Sequence, residues 1–338
     1  YNGILQYCKL NELDNIGDCI ASHLLYTRHL LGDKTNDDLQ RFFKHFRLPK
    51  PNRAQQIRVM PLCNWTNTYA LSLSLSRLIP PSSRIRFVVS DPDYWLVINA
   101  PPADATFESE RTIVYQMEPH MNTDLRWGEW SSPDPAQFLE VNTHAKTLNA
   151  IEWHVSLTAG ELLTKEITKT PDLPLSTIQS SRYSDPGQIL RIDFLKYLES
   201  NGMTVDVYGS NDHGWKNYKG SLPYQKKDAG LLPYKYTFAA ENNAIENYVT
   251  EKLVDAIVSE CLCFYWGCPN VEDWIDSDAY IVLDLDDFEG SMKIIQDAIA
   301  SDEWTHRIGS IRKTKHHLIT ELGMVPRMER LLGSPKDE

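Results

Sequence analysis

The sequence predicts an α/β protein of two Rossmann-like domains, their parallel sheets facing each other across a cleft. Three observations carry this. The chain has 338 residues, and at roughly 150 residues per domain that suggests about two. Short β-rich runs alternate with stretches of helical apolar spacing, the pattern of parallel strands joined by crossover helices. One break, Lys169-Thr-Pro-Asp-Leu-Pro174, carries two prolines that interrupt helix and strand alike. The boundary is therefore expected there, with residues 1–170 in one domain and 171–338 in the other.

Before the break, Arg86-Phe-Val-Val-Ser90, Trp95-Leu-Val-Ile-Asn99 and Thr112-Ile-Val-Tyr-Gln116 read as buried strands. Each is rich in β-branched or aromatic residues, with Asp, Pro or Ser near its ends. The spacing over 66–78 is mixed and reads as a helix. Residues 127–135, rich in Trp, Gly, Ser and Pro, read as a loop. After the break the periods are cleaner. Residues 177–180 form a short strand, and Ile189, Leu190, Phe194, Leu195 and Leu198 recur at helical spacing up to the Asn201-Gly202 stop. Residues 204–208 make a strand closed by Gly209, and 234–240 make another. Leu253, Val254, Ile257 and Val258 mark a helix. Residues 261–266 and 280–285 are strands, and 288–300 are helical.

Composition narrows the function. Apolar types make up 42% of residues, enough for real cores. The 34 basic and 46 acidic residues give a net charge of -12. That balance argues against a nucleic-acid or anionic-membrane binder, while leaving room for one local basic pocket. No stretch reaches the roughly 20 apolar residues of a membrane helix. No signal-peptide pattern is read in the sequence, which begins at Tyr1. A cytoplasmic setting is expected over a Golgi lumen, unless an anchor has been removed. The six cysteines, Cys8, Cys19, Cys63, Cys261, Cys263 and Cys268, have no zinc spacing with matching His. They are read as reduced and structural. Cys261 and Cys263 share one strand face.

The densest polar cluster runs from Glu241 to Lys252, after the strand ending at Ala240 and into the helix carrying Leu253. In an open parallel sheet, a strand's carboxyl end and the next helix N-terminus form the ligand crevice. Thr250 or Asn247 can cap that helix. Lys252 in the first turn opposes the macrodipole, a penalty that a bound phosphate would reverse. A solvated loop with a surface lysine is the plain alternative.

The stretch Tyr236-Thr-Phe-Ala-Ala-Glu-Asn-Asn-Ala-Ile-Glu-Asn-Tyr-Val-Thr-Glu-Lys-Leu253 resembles the signature of glycosyltransferase family 10, the α1,3/4-fucosyltransferases. That signature has an aromatic-rich strand end, Glu-Asn, five residues, then Tyr-Val-Thr-Glu-Lys. Phe264-Tyr-Trp-Gly267, Cys268-Pro-Asn270 and 280–288 resemble its following strands and turn. Arg191 with Phe194 and Leu198, then Val205-Asp-Val-Tyr-Gly209, resemble its Arg-bearing helix and next strand. The resemblance covers about 176–298 and is thin in the N-terminal half.

It implies a two-domain GT-B fold, a GDP-β-L-fucose donor and single-displacement inversion onto a hydroxyl of an oligosaccharide or glycoconjugate. Arg191 and Lys252 would be the donor-phosphate cations, a planar fork and a point charge against the leaving GDP. Asn242 and Tyr248 would donate to phosphate or sugar oxygens. Glu251 would accept from the ribose hydroxyls. Glu241 would bind the donor sugar or orient Asn242. Tyr208 and Gly209 lie where a base could pack against a strand end. No obligatory metal is implied, although a divalent ion could stimulate. Inversion also needs a general base on the opposite face of the donor sugar. Glu118, at the end of the strand 112–116 and followed by Pro119, matches the family's Glu-bearing turn. There Pro replaces the usual Ser. His120 is the alternative.

Other features are given plainer readings. Asp284-Leu-Asp-Asp287 looks like a metal motif but fits the family's strand end. Asp14-Asn-Ile-Gly-Asp18 and Asp212-His-Gly-Trp215 read as turns. Trp127 and Trp130 either stack on acceptor sugars or pack inside. Arg312, Lys313 and Lys315 read as a solvated helix face. Two other functions compete: the same fold with a different nucleotide-sugar donor, and a catalytically silent glycan-binding module.

Overall fold

The structure, a computed structural model, describes residues 56–118, 128–148, 152–210, 212–223 and 225–333. It divides into two compact units, one holding residues up to Asn142 and the other Thr143–Leu157 with Glu161–Met324. Thr158–Gly160 and the stretch from Val325 onward belong to the first unit. Each unit carries a parallel sheet with helices. Two such units in one chain are the components of the GT-B class.

The first unit contains β1 (Ile57–Leu62), α1 (Thr68–Ser76), β2 (Ile85–Phe87), β3 (Tyr94–Ile98), β4 (Thr112–Gln116) and β5 (Glu140–Thr143), in sheet order β2-β1-β3-β4-β5. β1 runs parallel to both β2 and β3, and β3 runs parallel to β4. Because side chains alternate, Trp95 and Val97 of β3 and Val114 of β4 reach one face, where they join Leu62 and Val141. Phe107, Trp130 and Phe138 pack against that cluster. Asn67 caps α1, its side chain accepting from Ala70 N–H at 2.9 Å.

The second unit contains α2 (Ala159–Thr164, begun in the first), β6 (Leu175–Gln179), α3 (Pro186–Ser200), β7 (Val205–Gly209), β8 (Tyr218–Gly220), α4 (Asp228–Leu231), β9 (Tyr236–Ala240), α5 (Glu251–Val258), β10 (Leu262–Trp266), β11 (Tyr280–Val282), α6 (Phe288–Ala300) and α7 (Glu303–His317). Its sheet runs β8-β7-β6-β9-β10-β11, and every described pairing is parallel. Sequence order therefore reverses between β6 and β9. A doubly wound sheet opens its ligand crevice at that switch point, outside the carboxyl ends of the strands. Gly209 ends β7 at φ +151°, so close to the Gln179 carbonyl that a Cβ would overlap it.

The division between units falls near residue 143 and not at the proline break. Apart from Thr158–Gly160, the described residues between 143 and 170 are tied to the second unit instead. Asp255 accepts from His154 N–H at 2.5 Å, Asp228 from Ser156 Oγ at 2.6 Å, and Ser259 O from Lys169 Nζ at 2.6 Å. The prolines interrupt secondary structure without separating domains. At the other end, α8 (Met324–Gly333) joins the first unit from Val325 on. There Arg327 donates to Asn142 at 2.8 Å and Glu329 accepts from Arg84 N–H at 2.9 Å.

Two further expectations are corrected. Lys315 is buried, with Nζ 2.5 Å from the buried Glu260 carboxylate, which Arg312 also meets at 2.9 Å. Arg312 and Lys313 are exposed, as expected of a solvated face, whereas Lys315 turns inward as an internal ion pair. The last strand stops at Val282, since Val282 is exposed and Asp284 turns the chain by accepting from Asp286 N–H.

Candidate active site

The second unit's switch point is spanned by one guanidinium. Arg191 lies on the inward stripe of α3 with Gln188, Ile192, Leu195 and Leu198, and is only 3% exposed. Nη2 donates to Ser180 Oγ at 2.9 Å, just past β6. Nη1 donates to Ala240 O at 3.1 Å and Asn242 Oδ1 at 3.0 Å, at the end of β9. Among the described residues, Nε is buried without a hydrogen-bond partner. Burial draws the Arg191 pKa down, and the negative charges of Glu241 and Glu251 oppose that shift. Gly187 lets α3 start hard against the β9 loop, donating to Asn242 O at 2.9 Å, where a Cβ would strike Glu241 O.

Glu241 is fully buried. Its carboxylate accepts from Thr250 N–H and Oγ and lies 3.3 Å from Lys252 Nζ. It makes no bond to Asn242, so among the described contacts it organises the start of α5. Gly267 accommodates this, because a Cβ there would press on the Glu241 side chain. Thr250 caps α5 through its hydroxyl, which also accepts from Lys252 Nζ at 2.9 Å. Asn247 does not cap. It sits in the left-handed region at φ +59°, donating to His144 O and accepting from Asn270 and Trp274, each at 3.0 Å. That turn delivers the buried Tyr248, whose ring meets the His144 ring edge-on.

Glu251 opens α5 between two ammonium groups, Lys227 at 3.3 Å and Lys252 at 3.6 Å. Burial pushes its pKa up, but Lys252 and Lys227 outweigh this and hold it well below the usual carboxylate range. Sequence reasoning missed Lys227, which also pairs with the buried Asp255 at 2.7 Å. Burial works against its charge, and the Asp255 and Glu251 carboxylates more than compensate, so its pKa is raised. The only signal for it was an Asp on the apolar helix α5, which demanded a buried cation. A cavity of about 30 Å³ lies here, lined by Ile178, Phe238, Ala240, Lys227 and Lys252 among others. Tyr208 Oη is 2.9 Å from Tyr234 Oη, and Gly209 O accepts from Tyr218 Oη at 2.7 Å. Arg191, Asn242, Glu241, Tyr248, Glu251 and Lys252 thus gather at the carboxyl ends of β6 and β9, with Tyr208 and Gly209 on neighbouring β7.

Glu118 belongs to the first unit, just past β4. Two amides hold its turn. Asn99, at φ +59°, accepts from Met117 N–H at 2.7 Å, and Gln116 Oε1 accepts from Glu118 N–H at 3.2 Å. Gln116 Nε2 donates to Trp130 O at 2.5 Å. The strained Asn99 backbone is the kind of device found where a side chain must be aimed. Trp130 packs inside, against Phe107 and Phe138. His120, Trp127, Cys8, Cys19 and the turn 14–18 lie outside the described residues. Asp287 caps α6 by accepting from Gly290 N–H at 2.9 Å.

Residues 177–301 match the family described as glycosyltransferase family 10 (fucosyltransferase) C-term. The chain is 28% identical over 163 residues to the GDP-fucose protein O-fucosyltransferase 3 of Xenopus laevis, covering 45% of this chain and 31% of that protein. It is 40% identical over 52 residues to an alpha-(1,4)-fucosyltransferase of Arabidopsis thaliana, 15% of this chain and 13% of that one. A crystal structure of an alpha1,3-fucosyltransferase with GDP overlays at a TM-score of 0.46 with 16% identity, covering 78% of this chain and 84% of that chain. The chain thus spans about a third of the length of the first curated relative it matches.

Proposed function

We propose that this chain, whose residues 177–301 match the glycosyltransferase family 10 (fucosyltransferase) C-term family, transfers L-fucose from GDP-β-L-fucose to an acceptor hydroxyl with inversion. The observation that carries this reading is Arg191, a buried guanidinium bridging both sides of the switch point, its Nε without a partner among the described residues. A buried, always-charged fork at that position suits a diphosphate. Lys252 adds a second charge at the α5 N-terminus. Glu251, kept ionised by Lys227 and Lys252, accepts from the ribose hydroxyls. Asn242 and Tyr248 bond donor oxygens, and the base lies along Tyr208 and Gly209.

In the reaction, the Glu118 carboxylate takes the acceptor hydroxyl proton. The freed oxygen attacks the anomeric carbon on the face opposite GDP. The bond from that carbon to the phosphate oxygen breaks, and GDP leaves with the electron pair. Arg191 and Lys252 stabilise the charge that builds on it. In this reading the two cations do the work of a metal, so chelation does not abolish turnover.

A second acceptor class is favoured by the similarity to a protein O-fucosyltransferase: a serine or threonine hydroxyl of a protein. Calorimetric titration with GDP, GDP-fucose and UDP tests the donor. Binding of both guanosine ligands and not of UDP is the expected result. Preference for UDP, or silence toward all three, overturns it.

A further inference from the structure

The first unit has its own switch point. Its sheet order β2-β1-β3-β4-β5 reverses between β1 and β3. In open parallel sheets the loops leaving the two strands at a switch point run to opposite sides, and a ligand crevice forms at their carboxyl ends. Beyond β3 the chain runs through Asn99, Ala100 and Pro101. Beyond β1 it runs through Cys63, Asn64 and Trp65. Trp65 is 48% exposed, and a tryptophan ordinarily hides most of its surface.

The indole is not on a slack loop. Cys63 is buried, with Sγ 3.7 Å from Thr66 O, and Asn67 caps α1 immediately after. Trp65 is therefore held between two anchored points, on the loop that leaves β1 at the switch point. Glu118 leaves β4, the strand beside β3. Two strand spacings separate the ends of β1 and β4, about 10 Å, a span comparable with a short oligosaccharide. Exposed indoles suit sugar rings, whose C–H faces stack on the π surface while the hydroxyls stay wet.

We propose that Trp65 is a stacking platform for a pyranose ring of a carbohydrate acceptor, seated at this switch point so that an acceptor hydroxyl reaches Glu118. The proposal rests on the reading of Glu118 as base and commits to a carbohydrate over a protein acceptor.

The test uses the full chain with GDP present, as wild type, Trp65→Ala and Trp65→Phe. Each is applied to an array of free oligosaccharides, and GDP affinity is measured alongside. The wild type should hold at least one oligosaccharide. Trp65→Ala should weaken that binding about 10-fold, the scale of one aromatic contact. Trp65→Phe should keep most of it, and GDP affinity should be unchanged in all three. A wild type that binds GDP but no oligosaccharide, or a Trp65→Ala variant that binds sugar as well as wild type, overturns the platform and leaves the donor reading standing. Failure of the wild type to bind GDP defeats the donor reading, and the platform with it.

Discussion

Glu241 binds Thr250 twice, accepting from its backbone N–H at 2.9 Å and its hydroxyl at 2.6 Å. A fully buried carboxylate thereby joins the end of β9 to the start of α5 and faces Lys252. Glu241→Gln keeps the shape but removes the charge that faces Lys252. Loss of charge-assisted bonding should lower unfolding free energy by about 1–3 kcal/mol. Urea denaturation measures this, and an unchanged midpoint would show that the carboxylate carries no such weight.

Glu118→Gln should cut turnover about 10²-fold or more with GDP affinity unchanged, the signature of a lost general base. Asn99→Ala frees Met117 N–H and loosens the same turn. It should lower kcat by a smaller factor and leave donor KM alone. Equal losses in donor binding and turnover would make this turn a structural one.

On the proposed function, Lys252→Ala and Arg191→Ala act on the other substrate. Each would remove a charged donor from the diphosphate, so each should weaken GDP binding roughly 10-fold or more. Arg191→Ala should also destabilise the fold, since Ser180, Ala240 and Asn242 all bond to it. Titration calorimetry with GDP separates the two effects. Undiminished GDP affinity in Lys252→Ala would remove that residue from the phosphate site.

Acid should reveal the Glu251 cluster. Burial raises its pKa, but Lys252 and Lys227 pull it well below the ordinary value of 4.5. A carboxylate lowered in the folded chain contributes stability above its unfolded pKa and loses it as pH falls through the folded one. The melting-temperature gap between wild type and Glu251→Gln should therefore hold level above about pH 5.5 and narrow as pH drops below 4.5. A gap that widens in acid would contradict the ion cluster.

Much of the second unit was legible from residues. Strand and helix periods from Leu175 to Ala300 repeat cleanly, and the Glu241–Lys252 segment announces itself by polarity after an apolar strand. Lys227 was not legible, because its role comes from Asp255 and Glu251, residues distant in sequence. The prolines at 171 and 174 misled because local breaks say nothing about which core a segment joins. Lys315 misled likewise: a basic run looks solvated until a buried Glu260 meets it. Trp65 carried no periodic signal. Its meaning comes from sheet order, which sequence periods do not encode.

The return of α8 to the first unit sets an order of events during synthesis. Arg84 waits for Glu329, 245 residues later, and Asn142 waits for Arg327, 185 residues later. Chains emerge from the ribosome N-terminus first, and domains usually finish in that order. Here all six strands of the second unit's sheet are made before α8 exists. The unit translated first is the one completed last, and until then its β4–β5 surface and the Arg84 loop stand without their closing helix. Long-range closure of this kind is slow, so a nascent chain stalled short of residue 325 would present a finished second unit beside an unfinished first one.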